Sequence, residues 1–137
     1  MARILALDFG KVRTGVAVTD VLQLIASALT TVNTENLIDF LSDYLAKEQV
    51  ECIVVGEPKQ MDGTPSMSEK LIQPFLVQLA KKFPHVPIER YDERFTSKIA
   101  VQSMVEIGLK KKQRKNKALV DEISATLILQ SYLERKK

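Results

Sequence analysis

Two kinds of apolar pattern alternate along the chain. Nearly continuous apolar or β-branched runs occupy "RILALDF" (3–9), "TGVAVTD" (14–20) and "LIASALTTV" (24–32), with only short connections between them. Such spacing predicts three strands of an antiparallel meander. The period then changes. Leu37, Ile38, Leu41, Tyr44 and Leu45 form the stripe of an amphipathic helix that opens near Asn33 or Thr34. "ECIVVGEP" (51–58) is apolar without alternation, as a strand covered on both faces is. Leu71, Ile72, Phe75, Leu76 and Leu79 make a second helical stripe. Ser66 and Glu69 stand at capping-box spacing before it, and Pro74 inside it predicts a kink or a late start. "VPIERYD" (86–92) is a further strand. Ile99, Ala100, Met104 and Ile107 then suggest a helix, followed by a last one from about Lys117 to Leu133.

The predicted order is β-β-β-α-β-α-β-α-α. Strands that alternate with helices are usually added in parallel, so the expected fold class is α/β. It is a mixed five-stranded sheet, a three-stranded antiparallel meander plus two parallel strands, with helices on both faces. No repeat or linker divides residues 1–137, which are expected to form one domain.

Composition narrows the class. Apolar residues make up 45% and charged residues 27%, the balance of a globular chain. No apolar run reaches the roughly 20 residues of a bilayer span, and "MARILALDFG" lacks the layout of a signal peptide. The expectation is therefore a protein without a membrane partner. Cys52 is alone and lies within an apolar strand, so it reads as a buried reduced thiol. His85, between two prolines, reads as a surface residue. Charge is unevenly spread. Residues 1–109 carry 11 basic and 14 acidic side chains, whereas residues 110–137 carry 9 basic and 3 acidic. Much of that excess is "KKKQRKNK" (110–117), either a polyanion contact or a solvated loop.

Candidate chemistry rests on acids. Asp8 ends the first strand, where open α/β sheets place their ligands, although an Asp before a turn can equally serve as its cap. Asp121 lies on the same helical face as Ala118, Ala125, Ile128 and Tyr132. A carboxylate on a core-facing stripe needs a cation or hydrogen bonds. Asp92 and Glu93 end the last strand, and alternation points them to opposite faces. Acids without a histidine cluster or thiolates suit a hard divalent ion, Mg²⁺ or Mn²⁺.

Four blocks, "ALDFGKVRTGVAVTD", "VVGEPKQMDGTPS", "YDERFTS" and "KALVDEISATLILQSYL", resemble in order and spacing the motifs of the YqgF-type family. That family is described as pre-16S rRNA nucleases and, formerly, as Holliday-junction resolvase-like proteins. The resemblance implies an RNase H-like fold, a bacterial cytoplasmic location and metal-dependent cleavage of a nucleic-acid phosphodiester. Carried over to this chain, it implies that Asp8, Glu93 and Asp121 hold the metal and act in catalysis. Arg13 follows the first acid and suits a phosphate, because its planar fork can grip two oxygens. Lys59, Arg94, Lys110, Lys111, Lys112 and Arg114 are the other candidate nucleic-acid contacts. One position departs from the family pattern: Glu57 stands where an apolar residue is usual. It is either an additional ligand or a substitution without consequence, as Asp92 is either a ligand or a bystander.

Precursor rRNA ranks above branched DNA as the expected partner, and monomer and homodimer remain open. Two other classes fit less well. "DFGKVRTGVAVTD" is also similar to the phosphate hairpin of sugar kinases and actin-like ATPases, but those need two lobes and a second glycine-rich motif. A binding module that cleaves nothing would carry three acids that repel phosphate to no purpose.

Overall fold

The computed structural model describes residues 2–60, 62–93 and 117–136. The predicted helix about Ile99–Ile107 lies outside these, as do Arg94, Lys110, Lys111, Lys112 and Arg114. The meander is β1 (Arg3–Asp8), β2 (Arg13–Thr19) and β3 (Ala26–Asn33). A single 3-10 turn (Thr34–Asn36) leads into α1 (Leu37–Lys47), followed by β4 (Val50–Glu57), α2 (Glu69–Lys82) and β5 (Ile88–Asp92). The last described element is α3 (Lys117–Lys136).

The sheet order is β3-β2-β1-β4-β5. β1 pairs antiparallel with β2 and parallel with β4, which puts the strand carrying Asp8 at the centre. Central placement explains its unbroken apolar run, because both faces are covered. Leu5 and Leu7 point to one layer, packed with Leu37 and Leu41 of α1 and with Ile72, Phe75 and Leu79 of α2. Ile4 and Ala6 point to the other, packed with Ala125, Ile128 and Leu129 of α3. β4 divides the same way: Ile53 and Val55 face α1 and α2, while Cys52 and Val54 face α3. Cys52 is buried there, as its strand context required.

β3 starts two residues later than its apolar run because Asp20 captures the turn. Its carboxylate accepts the backbone N–H groups of Leu22, Leu24 and Ile25 at 3.1, 2.8 and 2.8 Å. Those bonds, led by the one from Ile25, hold the Asp20 carboxyl below its ordinary range. Gln23 takes the left-handed conformation in this turn, with φ 58°. The two strand-end aspartates of the meander thus do different work, and Asp20 is the turn former.

Two local expectations about α2 need correction. Ser66 and Glu69 make no capping box: the cap residue is Ser68, and it makes no side-chain cap bond. Glu69 goes instead to Arg90, both of whose terminal nitrogens reach its carboxylate at 2.8 Å. A charge-assisted fork outweighs a single cap hydrogen bond. Nor does Pro74 delay the helix, which begins five residues before it. Pro74 and Lys70 are both exposed, so water can serve the carbonyl that Pro74 leaves without a donor.

Candidate functional site

Asp8, at the carboxyl end of β1, has a glycine on each side. Gly15 of β2 is its register partner. Gly56 of β4 follows Val55, the partner of Leu7. Each glycine opens room for one of the other two acids. A Cβ on Gly15 would lie 1.9 Å from the backbone carbonyl oxygen of Asp121, so only a bare backbone lets α3 cross β2 there. A Cβ on Gly56 would lie 3.0 Å from the carboxyl carbon of Glu93 and 2.9 Å from Cδ1 of Ile128. The carboxyl group of Glu93 occupies the space that a side chain on β4 would fill, and reaches Asp8. The glycines that punctuate the first and second blocks are the means by which distant acids approach the first strand.

The carboxyls of Asp8 and Glu93 lie within hydrogen-bonding reach of each other. Burial raises the Asp8 carboxyl to about 6, with the nearby Asp121 charge adding to the rise. Burial and repulsion from Asp8 raise Glu93 further, to about 8. Two partly buried carboxyls therefore share a proton at neutral pH, a strained arrangement of the sort found at functional sites. Asp121 lies near enough to repel Asp8 but turns to Arg13, whose Nε meets its Oδ2 at 3.0 Å.

The structure thus joins two of the three acids directly and sets the third beside them, in a pair with Arg13. Among the described residues, no three acidic, histidine or cysteine side chains are arranged as they stand to hold one ion. β5 ends at Asp92, so Glu93 lies just beyond the strand, and the charge of Asp92 adds to the rise of the Glu93 carboxyl. The Asp92 carboxylate lies 4.0 Å from Lys59, and Lys59 is 3.6 Å from Glu57. Lys59 therefore joins Glu57 and Asp92 in an ionic cluster at the ends of β4 and β5.

Arg90 is a supporting residue that sequence patterns did not single out. Besides gripping Glu69, it donates to the carbonyls of Val55 and Gly56 at 3.2 and 2.9 Å. It ties the start of α2 to the strand end against which Glu93 packs. The available signal was an arginine between Glu89 and Asp92 in a short strand.

Two results are expected from this geometry. Because folding raises both acids, this pair holds more protons in the folded chain than in the unfolded chain from about pH 4 to about pH 8. The lowered Asp20 and Glu69 oppose it only at the acid end. Stability of the metal-free protein should then fall as pH rises through that window, and a divalent ion should restore it at the upper end. Thermal melts at either end of the range test this; a flat profile would remove the shared proton. Gly56→Ala should cost stability only modestly, about 1 kcal/mol, since flexible side-chain ends can give way to the new methyl. It should nonetheless displace Glu93 and lower turnover at least tenfold, a split that steady-state kinetics and denaturant titration would resolve.

The chain is similar to known proteins over nearly its whole length. Residues 2–135 match the family model described as "RuvX: Holliday junction resolvase". A protein of Christiangramia forsetii named "Putative pre-16S rRNA nuclease" is 68% identical over 97% of this chain and 98% of its own. One of Phocaeicola vulgatus with the same name is 64% identical over 100% of this chain and 99% of its own. Among solved structures, T. thermophilus RuvC in complex with a Holliday junction substrate aligns over 100% of this chain and 98% of that one. Its TM-score is 0.57 at 17% identity. The fowlpox virus Holliday junction resolvase aligns with a TM-score of 0.54 at 16% identity, over 97% of this chain and 99% of that one. At such identities the likeness is one of fold, and the meander with two added parallel strands is the RNase H-like arrangement. With nearly its whole length matched by the family model and by relatives named as nucleases, this chain belongs to the RuvX family.

Proposed function

We propose that the protein hydrolyses nucleic-acid phosphodiesters with the help of Mg²⁺ or Mn²⁺, and that precursor 16S rRNA is its substrate. The observation that carries this reading is the convergence of Asp8 and Glu93, two carboxyls held close and largely out of water over Gly56, where a cation would settle both charges. The donor set is all oxygen, which fits a hard ion. Asp8 and Glu93 would hold it, with Asp121 as the third ligand. When bound, such an ion lowers the pKa of a water and offsets charge gathering on the phosphate.

The residues of this chain supply the rest. Arg13 has the fork for a phosphate and is occupied by Asp121. A substrate phosphate competes for that guanidinium and leaves Asp121 to turn toward the pair, so binding and assembly of the acids are linked. Arg90 keeps the end of β4 in place beneath Glu93. Arg94, Lys59 and the 110–117 block position the strand by phosphate contacts, which carry little sequence information. The cytoplasm, where precursor rRNA is made, is the compartment of this reading. Among the described residues, no helix is long and apolar enough to cross a membrane.

The substrate names carried by the relatives support precursor rRNA. A second reading, cleavage of branched DNA, is favoured by the description of the family model. Purified protein should be offered precursor 16S rRNA, a four-way DNA junction and single strands, each with Mg²⁺ or Mn²⁺ and with Asp8→Asn as control. Cleavage of the RNA alone supports the first reading. Cleavage of the junction alone replaces it with the second. Replacing Lys110, Lys111 and Lys112 together with Ala should weaken binding and flatten its salt dependence. The log-log slope should shrink by up to about 0.7–0.9 for each phosphate that these lysines neutralise. An unchanged slope would assign that block to solvent.

A further inference from the structure

The carboxyl end of β1 has a second side. Asp8 and Glu93 sit with Asp121 and Ile128 of α3, whereas Phe9, the next residue after Asp8, packs with α1 and α2. The ring of Phe9 lies 4.7 Å from that of Phe75, centroid to centroid, and lines a cavity of about 380 Å³ between the two helices. That volume falls within the range of small-ligand clefts. Ile38, Pro74 and Phe75 complete its apolar walls, and Glu35 and Asp39 supply carboxylates. Both acids are exposed, and neither has an ion-pair partner among the described residues. Thr34 also lines the cavity and fastens it to the turn between β1 and β2. Its hydroxyl donates to the Gly10 carbonyl at 2.6 Å and meets the Thr14 hydroxyl at 2.9 Å, and its backbone N–H donates to the Val12 carbonyl at 2.9 Å.

From this arrangement we infer that the cavity is a base pocket, which takes one unstacked guanine from the strand whose phosphate lies at Asp8. The occupant follows from what the walls repel and accept. Two carboxylates repel a phosphate, so the backbone of the strand stays outside. Their oxygens call for hydrogen-bond donors, and the aromatic wall calls for a flat group, which together describe a splayed-out base. Guanine sets two donors side by side on its pairing edge, N1–H and the 2-amino group, to match the two oxygens of one carboxylate. Adenine and cytosine present one amino group beside a ring acceptor, and uracil or thymine one N–H between two carbonyls. Lys11 lines an adjoining cavity that shares Glu35, and so stands where a phosphate of the same strand can be held outside the pocket. The inference rests on the nuclease reading for how the strand arrives, and adds to it a preference for guanine beside the phosphate that is cut.

The test is an NMR titration of the full chain, without metal, with guanosine, adenosine, cytidine and N-acetyl-arginine amide in turn. Guanosine should shift the amide signals of residues 34–39 and 75–78 and bind at least about tenfold more tightly than the other two nucleosides. Glu35→Gln together with Asp39→Asn should remove that preference, because each carboxamide can turn an N–H donor toward the donors of guanine. No response to guanosine would overturn the inference, as would an equal response to all three nucleosides. Tighter binding of the arginine probe than of guanosine would overturn it too, and would assign the cavity to a basic side chain of a protein partner. If the double variant failed to fold, the wild-type ranking would still decide. Because no cleavage is read, the two failures are distinguishable. A chain that ranks guanosine first and cuts no nucleic acid keeps the pocket and loses the nuclease reading, and one that cuts without that ranking does the reverse.

Discussion

Asp8→Asn is expected to abolish cleavage while leaving nucleic-acid binding close to wild type. The loss should be about 10³-fold or more, since metal-assisted stabilisation of a phosphoryl transition state amounts to several kcal/mol and each decade of rate to about 1.4 kcal/mol. The variant should also be more stable than the wild type in metal-free buffer at about pH 8. Asn accepts a hydrogen bond from Glu93 and carries no charge to repel it, and the partial burial that raises both carboxyls then acts on one. Opposite signs for activity and metal-free stability distinguish a functional carboxylate from a structural one. A variant that lost activity and stability together would mark Asp8 as a cap of its turn, and full activity would remove it from the mechanism.

The second large effect concerns no acid at all. Gly15→Ala should destabilise the fold by about 3 kcal/mol, the upper end of what overpacking usually costs. The added methyl would meet the carbonyl oxygen of Asp121 at 1.9 Å, and its carbon at 2.4 Å. Both belong to helix backbone, so a rotamer change cannot relieve the clash and α3 must lift from β2. The Arg13–Asp121 pair goes with it. Urea denaturation would report the loss, and the contrast with Gly56→Ala is informative. At Gly56 the obstacles are side-chain ends, so the damage should appear in turnover; at Gly15 it should appear in stability first. Equal costs at the two positions would contradict the close approach of α3.

Much of this architecture was legible before folding. The unbroken apolar run of β4 could only belong to a strand covered on two faces, and the stripes of α1 and α2 announced one buried face each. The local misses share one cause. Ser66 and Glu69 had the spacing of a capping box, but Arg90, 21 residues from Glu69, offered it a stronger bond. Asp8 and Asp20 looked alike as strand-end aspartates. One is satisfied by three backbone amides of its own turn, and the other by a residue 85 positions away.

Apolar periodicity, strand order and the list of acids are written locally, because each depends on residues within a turn or two of one another. The partners of those acids are not. That Glu93 shares a proton with Asp8, that Asp121 turns to Arg13, and that Gly15 and Gly56 make the space for both were decided by the packing of strands and a helix from opposite ends of the chain. Charge and close approach act through space, and only tertiary structure brings such groups within reach of each other.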